Sequence, residues 1–240
     1  MWRRAVLRTL GAALPASIGM VPLAQAGHLT MPEVERRLLD REQFFQPVPA
    51  QPAPGFALQD AAGRPVGLAD LRGKVVVLHF VYASCPDVCQ LHADRIATIR
   101  GMVNQTPMRD LAGFISITTD PVNDTPDVMR GFGEAHGLDS ANWTFLTSGP
   151  EHPEETVRLA RAYGLVFVPT PEGQQMHAVV THVIDREGQL RAKFHGLDFN
   201  PTNLLLYVNA LTQDGHEEPL AGPPQVAPAR SLVERLWGLL

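Results

Sequence analysis

Lys74-Val75-Val76-Val77-Leu78-His79-Phe80-Val81-Tyr82 runs directly into Ala83-Ser84-Cys85-Pro86-Asp87-Val88-Cys89. The first nine residues are nearly all apolar and rich in valine, the pattern of a central strand buried on both faces. Val88, Leu91, Ile96 and Ile99 then recur at helical spacing, so the two cysteines sit where a buried strand hands over to a helix. Strands and helices alternate outward from this junction. Residues 56–58 and 63–66 read as a short hairpin, and residues 114–118 as the next strand. Thr125-Pro126 starts a helix with a capping hydroxyl and a first-turn proline, ending near Gly137. A strand over 143–146 and a helix over 154–163, stopped by Gly164, follow. Residues 178–184 and 190–194 flank the turn Asp185-Arg186-Glu187-Gly188, and Asn200-Pro201 opens a last helix through Leu211. This order predicts an α/β layered domain over 54–213.

Both ends read as extensions. Residues 1–26 begin with Arg3 and Arg4, continue small and apolar, and finish Ala24-Gln25-Ala26, the plan of a cleaved export signal. Arg3-Arg4-Ala5-Val6-Leu7-Arg8 fits either a twin-arginine signal or an ordinary one with two arginines, and an uncleaved signal would anchor the chain to a membrane. Residues 27–53 read as a charged helix from Pro32 and then a stiff linker carrying Pro47, Pro49 and Pro52. Residues 214–240 are proline-rich up to Pro228. Ser231 and Glu234 then open a short amphipathic helix, with Leu232, Val233, Leu236, Trp237 and Leu240 on one face. Removing residues 1–46 and 214–240 is expected to leave a folded domain.

Composition narrows the function classes. The chain has 240 residues, 45% hydrophobic and 19% charged, which is globular and excludes a disordered protein. Formal charge is −5, and only Lys74 and Lys193 are lysines, so no basic block points to nucleic acid. Removing residues 1–26 takes away three arginines and no acid, which leaves 17 basic against 25 acidic residues, a net −8. The mature protein is expected to be acidic and periplasmic. Two cysteines cannot make a disulfide scaffold.

Cys85 and Cys89, at a helix start, meet unpaired N–H groups and a partial positive charge, which favour thiolate over thiol. Thiolates attack disulfides and bind soft metals. A fixed disulfide, a reversible dithiol and a metal site all fit the spacing. A metal beyond linear Cu(I) needs a further ligand. His92 lies three residues beyond Cys89, on the same helix face, and otherwise reads as a surface residue. His79 reads as a core histidine. His177 precedes the strand 178–184, and His182, five residues on, points to the opposite face. His28, His136, His152, His195 and His216 read as surface or terminal positions. On these grounds His177 and His92 stay level.

Ser84-Cys85-Pro86-Asp87-Val88-Cys89, followed by Ser116-Ile117-Thr118-Thr119-Asp120-Pro121 and Asp124-Thr125-Pro126, resembles the Sco/SenC family over about residues 55–211. The resemblance implies a thioredoxin-like fold, with a central mixed sheet flanked by helices and N- and C-terminal extensions. It implies a copper chaperone for the dinuclear copper centre of cytochrome c oxidase. Copper, as Cu(I) or Cu(II), would be held by Cys85, Cys89 and His177. His177 stands eleven residues before the hairpin glycine Gly188, the family's spacing, which selects it over His182. Thiolates suit Cu(I) and an imidazole lets the same site hold Cu(II). Asp120 and Asp124 are candidates for orienting the ligands, with turn formation and capping the plainer role for Asp124. Implied partners are the copper-site subunit of the oxidase, or another copper protein, and a periplasmic thiol reductant. The chain departs from the family pattern at Gln90, where proline is usual, and at Met176-His177-Ala178, which lacks the usual acidic and hydroxyl neighbours.

The main rival is a thiol:disulfide oxidoreductase that reduces the cysteines of one specific partner, with Cys85 and Cys89 as its redox disulfide. A thioredoxin-type enzyme carries CxxC and a proline where this chain has Val179 and Val180. A peroxiredoxin's proline and threonine would fall on Leu78 and Tyr82. A closed zinc site would want a fourth ligand; none is evident, though His92 could supply it.

Overall fold

The computed structural model describes residues 29–86, 88–138, 141–169 and 175–214. The export segment and the helix read after Ser231 lie outside the described residues. No helix among them is long and apolar enough to cross a membrane.

The valine-rich run forms strand β4 (Val75–Val81), buried along its whole length. It pairs in parallel with β5 (Ala112–Thr118), which pairs in parallel with β6 (Trp143–Thr147). On its other side lies β9 (Val180–Ile184), antiparallel, then β10 (Gln189–His195). β2 (Ala57–Asp60) and β3 (Pro65–Gly67) complete the far edge of an eight-stranded mixed sheet. The turn between β9 and β10 is built as its sequence predicts. Gly188 takes the positive φ of 74° that glycine tolerates, and Asp185 Oδ1 accepts the N–H groups of Glu187 and Gln189.

Helices cover both faces because β4 alternates. Val75, Val77 and Val81 face α2 (Val88–Asn104), α3 (Pro126–Ala135) and α5 (Pro201–Gln213), with Ile96, Ile99, Met129, Phe132 and Leu204 in that layer. Val76, Leu78 and Phe80 face the layer of α4 (Pro153–Ala162), with Leu159 and Tyr163. As predicted, Thr125 caps α3 and Asn200 caps α5, each side chain accepting a first-turn N–H.

The N-terminal extension departs from its reading. Residues 45–52 are not a free linker: they form β1 (Phe45–Pro52), the edge strand paired antiparallel with β10, with an irregularity between Pro47 and Gln51. Proline favours the same extended backbone in a linker and in an edge strand, where one missing N–H row is tolerated. Local composition cannot tell the two apart. Helix α1 (Met31–Leu39) buries Met31, Val34 and Leu38 and packs against α5. Glu42, itself buried, accepts from the Asn200 N–H at 2.8 Å and the Asn203 amide at 2.9 Å. Residues 31–52 therefore pack on the domain, through α1 on α5 and β1 on β10.

Candidate metal centre

The cysteine junction is built from β4, β5 and α2. Cys85 and Cys89 are 5% and 3% exposed and carry free thiols. The Cys89 N–H donates to Cys85 Sγ at 3.4 Å, so the helix start faces one sulfur with an unpaired amide. Five residues upstream of Val88 the loop is pinned by a buried carboxylate. The Ala83 N–H donates to both carboxylate oxygens of Asp124, at 3.1 and 3.2 Å, and the Thr118 hydroxyl donates to the same carboxylate. Asp124 is 2% exposed, and burial raises its pKa above the ordinary aspartate value. The capping role belongs to its neighbour Thr125, so Asp124 anchors the cysteine loop. Asp120 does not reach the loop: its carboxylate accepts from the Asn123 side chain at 2.8 and 3.0 Å.

Thiolate character departs from the expectation. Burial pushes the Cys89 thiol well above its ordinary value, and the neighbouring Cys85 adds to the shift. Tyr82 is pushed up to about 12 by burial and by its interaction with Cys85. Desolvation outweighs the helix-start field at Cys89 in the metal-free protein.

His177 closes strand β8 (Gln175–His177), which pairs with β7 (Phe167–Pro169) in a two-stranded ribbon separate from the main sheet. Its Nδ1–H donates to the Ala178 carbonyl at 3.0 Å, and its ring lies 5.4 Å from that of Phe167. Nε2 is buried with no hydrogen-bond partner among the described residues. Burial lowers the His177 pKa, so the ring is held neutral with a bare lone pair on Nε2. An imidazole whose other nitrogen is tied to a carbonyl is the usual state of a metal ligand. Cys85, Cys89 and His177 do not bring three ligand atoms within 4.8 Å of one another. Among the described residues that closeness occurs at exposed His152 and Glu154 with half-buried Glu155. The thiols are assembled and the imidazole stands apart.

The other histidines divide by face. His92 is not a surface residue: it is 1% exposed, its Nε2 hydrogen-bonds Thr181 Oγ1 at 2.8 Å, and its ring lies 4.6 Å from that of His79. The stripe Cys89, His92, Ala93, Ile96 and Ile99 is the buried face of α2. Spacing placed His92 on this face, and its polarity misled the reading of its exposure. His79 is a core residue as predicted, hydrogen-bonded to Ser116 at 3.2 Å. His182 lies in the opposite layer, with Nε2 3.2 Å from the Tyr163 carbonyl and its ring against Phe80.

With this geometry in hand, comparison with known proteins is decisive for ancestry. The SCO1/SenC family profile matches residues 46–213. The chain belongs to the SCO1/SenC family. Protein SenC of Rhodobacter capsulatus is 29% identical over 175 residues, covering 72% of this chain and 76% of its own. BsSco, described as a member of the Sco family of cytochrome c oxidase assembly proteins with a disulfide switch, superposes with a TM-score of 0.60 at 22% identity, over 71% of this chain and 98% of its own. ScoI of Arabidopsis thaliana with copper bound superposes with a TM-score of 0.55 at 23% identity, over 66% of this chain and 97% of its own. The fold is thus the thioredoxin-like fold of Sco proteins, with the cysteine pair at the junction of its central strand and first long helix. The family match begins at residue 46, inside β1, which agrees with that strand being part of the Sco domain.

Proposed function

We propose that this SCO1/SenC protein carries copper to the dinuclear copper centre of cytochrome c oxidase, outside the cytoplasm, with Cys85, Cys89 and His177 as ligands. The observation that carries the reading is the bare, buried Nε2 of His177 in a protein whose only two cysteines are free thiols at one helix start. Two thiolates and an imidazole are a donor set for Cu(I) and Cu(II) alike. The copper-bound relative and the oxidase-assembly family support the cargo and the destination. The export signal read at residues 1–26 supports the compartment.

Copper here is cargo, and the protein's own contribution is to prepare the donors. Burial keeps Cys89 protonated when no metal is bound, so loading must release thiol protons. The buried site shields bound Cu(I) from water, and thiolate ligation competes with oxidation of the same sulfurs. If Cys85 and Cys89 close a disulfide, two electrons and two protons from a partner dithiol restore the carrier form. That defines the thiol reductant as the second partner.

The test is metal analysis of reduced mature protein with absorption spectra of wild type, Cys85→Ser, Cys89→Ser and His177→Ala. The expected result is one copper per chain and a thiolate-to-Cu(II) charge-transfer band that either serine variant abolishes. Loss of Cu(II) binding in His92→Ala but not in His177→Ala would overturn the ligand set. Stoichiometric copper on the disulfide form would overturn the whole reading and put thiol-disulfide exchange in its place.

A further inference from the structure

Gln90 follows Cys89 at the position where the family pattern carries proline. Its side chain reaches back over the start of α2. Nε2 donates to the Ala83 carbonyl at 3.0 Å and to the Cys85 carbonyl at 2.9 Å. Two carbonyl acceptors fix the orientation of the amide, because an amide oxygen cannot pair with them. Gln90 Oε1 therefore points the other way, and it lies 2.6 Å from His136 Nε2. His136 stands just past α3, and its Nδ1 lies 2.6 Å from Asp94 Oδ1, one turn further along α2. The sequence reading puts His136 at the surface. Its side chain is in fact 8% exposed, against 62% for Asp94, and its ring packs 4.6 Å from that of Phe132.

The two contacts on this ring differ in setting. Nε2 meets Gln90 Oε1, which can only accept, so the Nε2–H donates to it, and Nδ1 meets the solvent-facing carboxylate of Asp94. Asp94 from α2 is the charged group recorded against the ring, with Gln90 from α2 and Phe132 from α3 as its other partners.

We propose that Gln90, held by His136, is a positioning residue that latches the Cys85 loop onto α2 and fixes the Cys85 sulfur for copper. Ala83 is gripped at both of its backbone groups, its N–H by Asp124 and its C=O by Gln90. Without the His136 N–H, Gln90 Oε1 loses its partner and the side chain is freer to withdraw its donors from the carbonyls of Ala83 and Cys85. The loop then loses one of its two side-chain anchors, and the Cys85 sulfur is less well fixed against Cys89. The consequence for affinity rests on the copper reading, whereas the latch itself does not.

The experiment has a metal-free and a copper-loaded arm, both on the reduced mature protein. In the first, nitrogen-15 NMR reads the Gln90 side-chain amide in wild type and His136→Ala. A wild-type amide whose protons exchange slowly, and which shifts and exchanges faster in His136→Ala, is the expected result. A Gln90 amide unchanged in His136→Ala would overturn the latch. In the second arm a chromophoric chelator competes for Cu(I) with wild type, Gln90→Ala, His136→Ala and the double variant. Each single variant should bind about tenfold more weakly, the scale of two lost hydrogen bonds, and the double variant no more weakly than either. Singles that bind as wild type, or that multiply in the double, would overturn the proposal. Failure of every protein to bind copper, with the NMR as expected, would sink the copper reading and leave the latch standing.

Discussion

The two halves of the proposed donor set are held in opposite ways. The cysteine loop is tied through the Ala83 N–H to Asp124, which Thr118 of β5 also holds, both far from the loop in sequence. His177 sits on a two-stranded ribbon outside the main sheet, and its ring donates to the carbonyl of its own neighbour, Ala178. The thiols are therefore anchored to the core, while the imidazole is carried on a separate ribbon. Such a division suits a carrier that must grip a soft ion and then give it up, because one ligand can leave without breaking the rest.

The contrast is broken most severely through the sulfurs. Cys85→Ser or Cys89→Ser should lower Cu(I) affinity by about a thousandfold or more, since a hydroxyl is a poor ligand for a soft ion, whereas His177→Ala should cost about tenfold for Cu(I) and more for Cu(II). Chelator competition in each oxidation state reads both. Acid should next attack the rigid half. His79 and His182 are held neutral down to about 3 by burial, against an ordinary 6.5. The unfolded chain therefore binds more protons between those values. Stability should be intact above about pH 6.5 and fall as pH drops toward 3, by roughly 1 kcal/mol per pH unit for each histidine, as followed by urea unfolding. Asp124→Ala leaves the Ala83 N–H and the Thr118 hydroxyl without an acceptor in a buried place. A loss of about 2–4 kcal/mol and weaker copper binding together are the expected result. The smallest effect belongs to the ribbon. His177→Ala should change unfolding free energy by no more than about 0.5 kcal/mol, and a larger change would show that the ribbon is part of the core.

Much of this was legible because the information is local. A valine run, a helical period and two cysteines between them define the junction, and Thr125, Asn200 and Gly188 mark their caps and turn from one or two residues. What local patterns could not show is what meets across the sheet. His92 looks like a surface residue until Thr181 and His79 are seen opposite it. The prolines of 47–52 look like a linker until β10 is laid beside them. Gln90 looks like a minor departure from a family pattern, because its meaning depends on His136, 46 residues away. His177 rests on resemblance, to which the structure adds a buried Nε2 with no hydrogen-bond partner among the described residues.

One consequence of β1 concerns the protein in a crowd rather than alone. An open sheet ends in a row of backbone groups able to recruit another chain, and strands added there grow into aggregates. Here the terminal strand offers Pro47, Pro49 and Pro52, three places with no N–H to donate, and an irregular register between the first and the last of them. A neighbouring molecule finds no regular ladder to extend. The same prolines that disguise this segment in the sequence make its edge a poor template for a further strand.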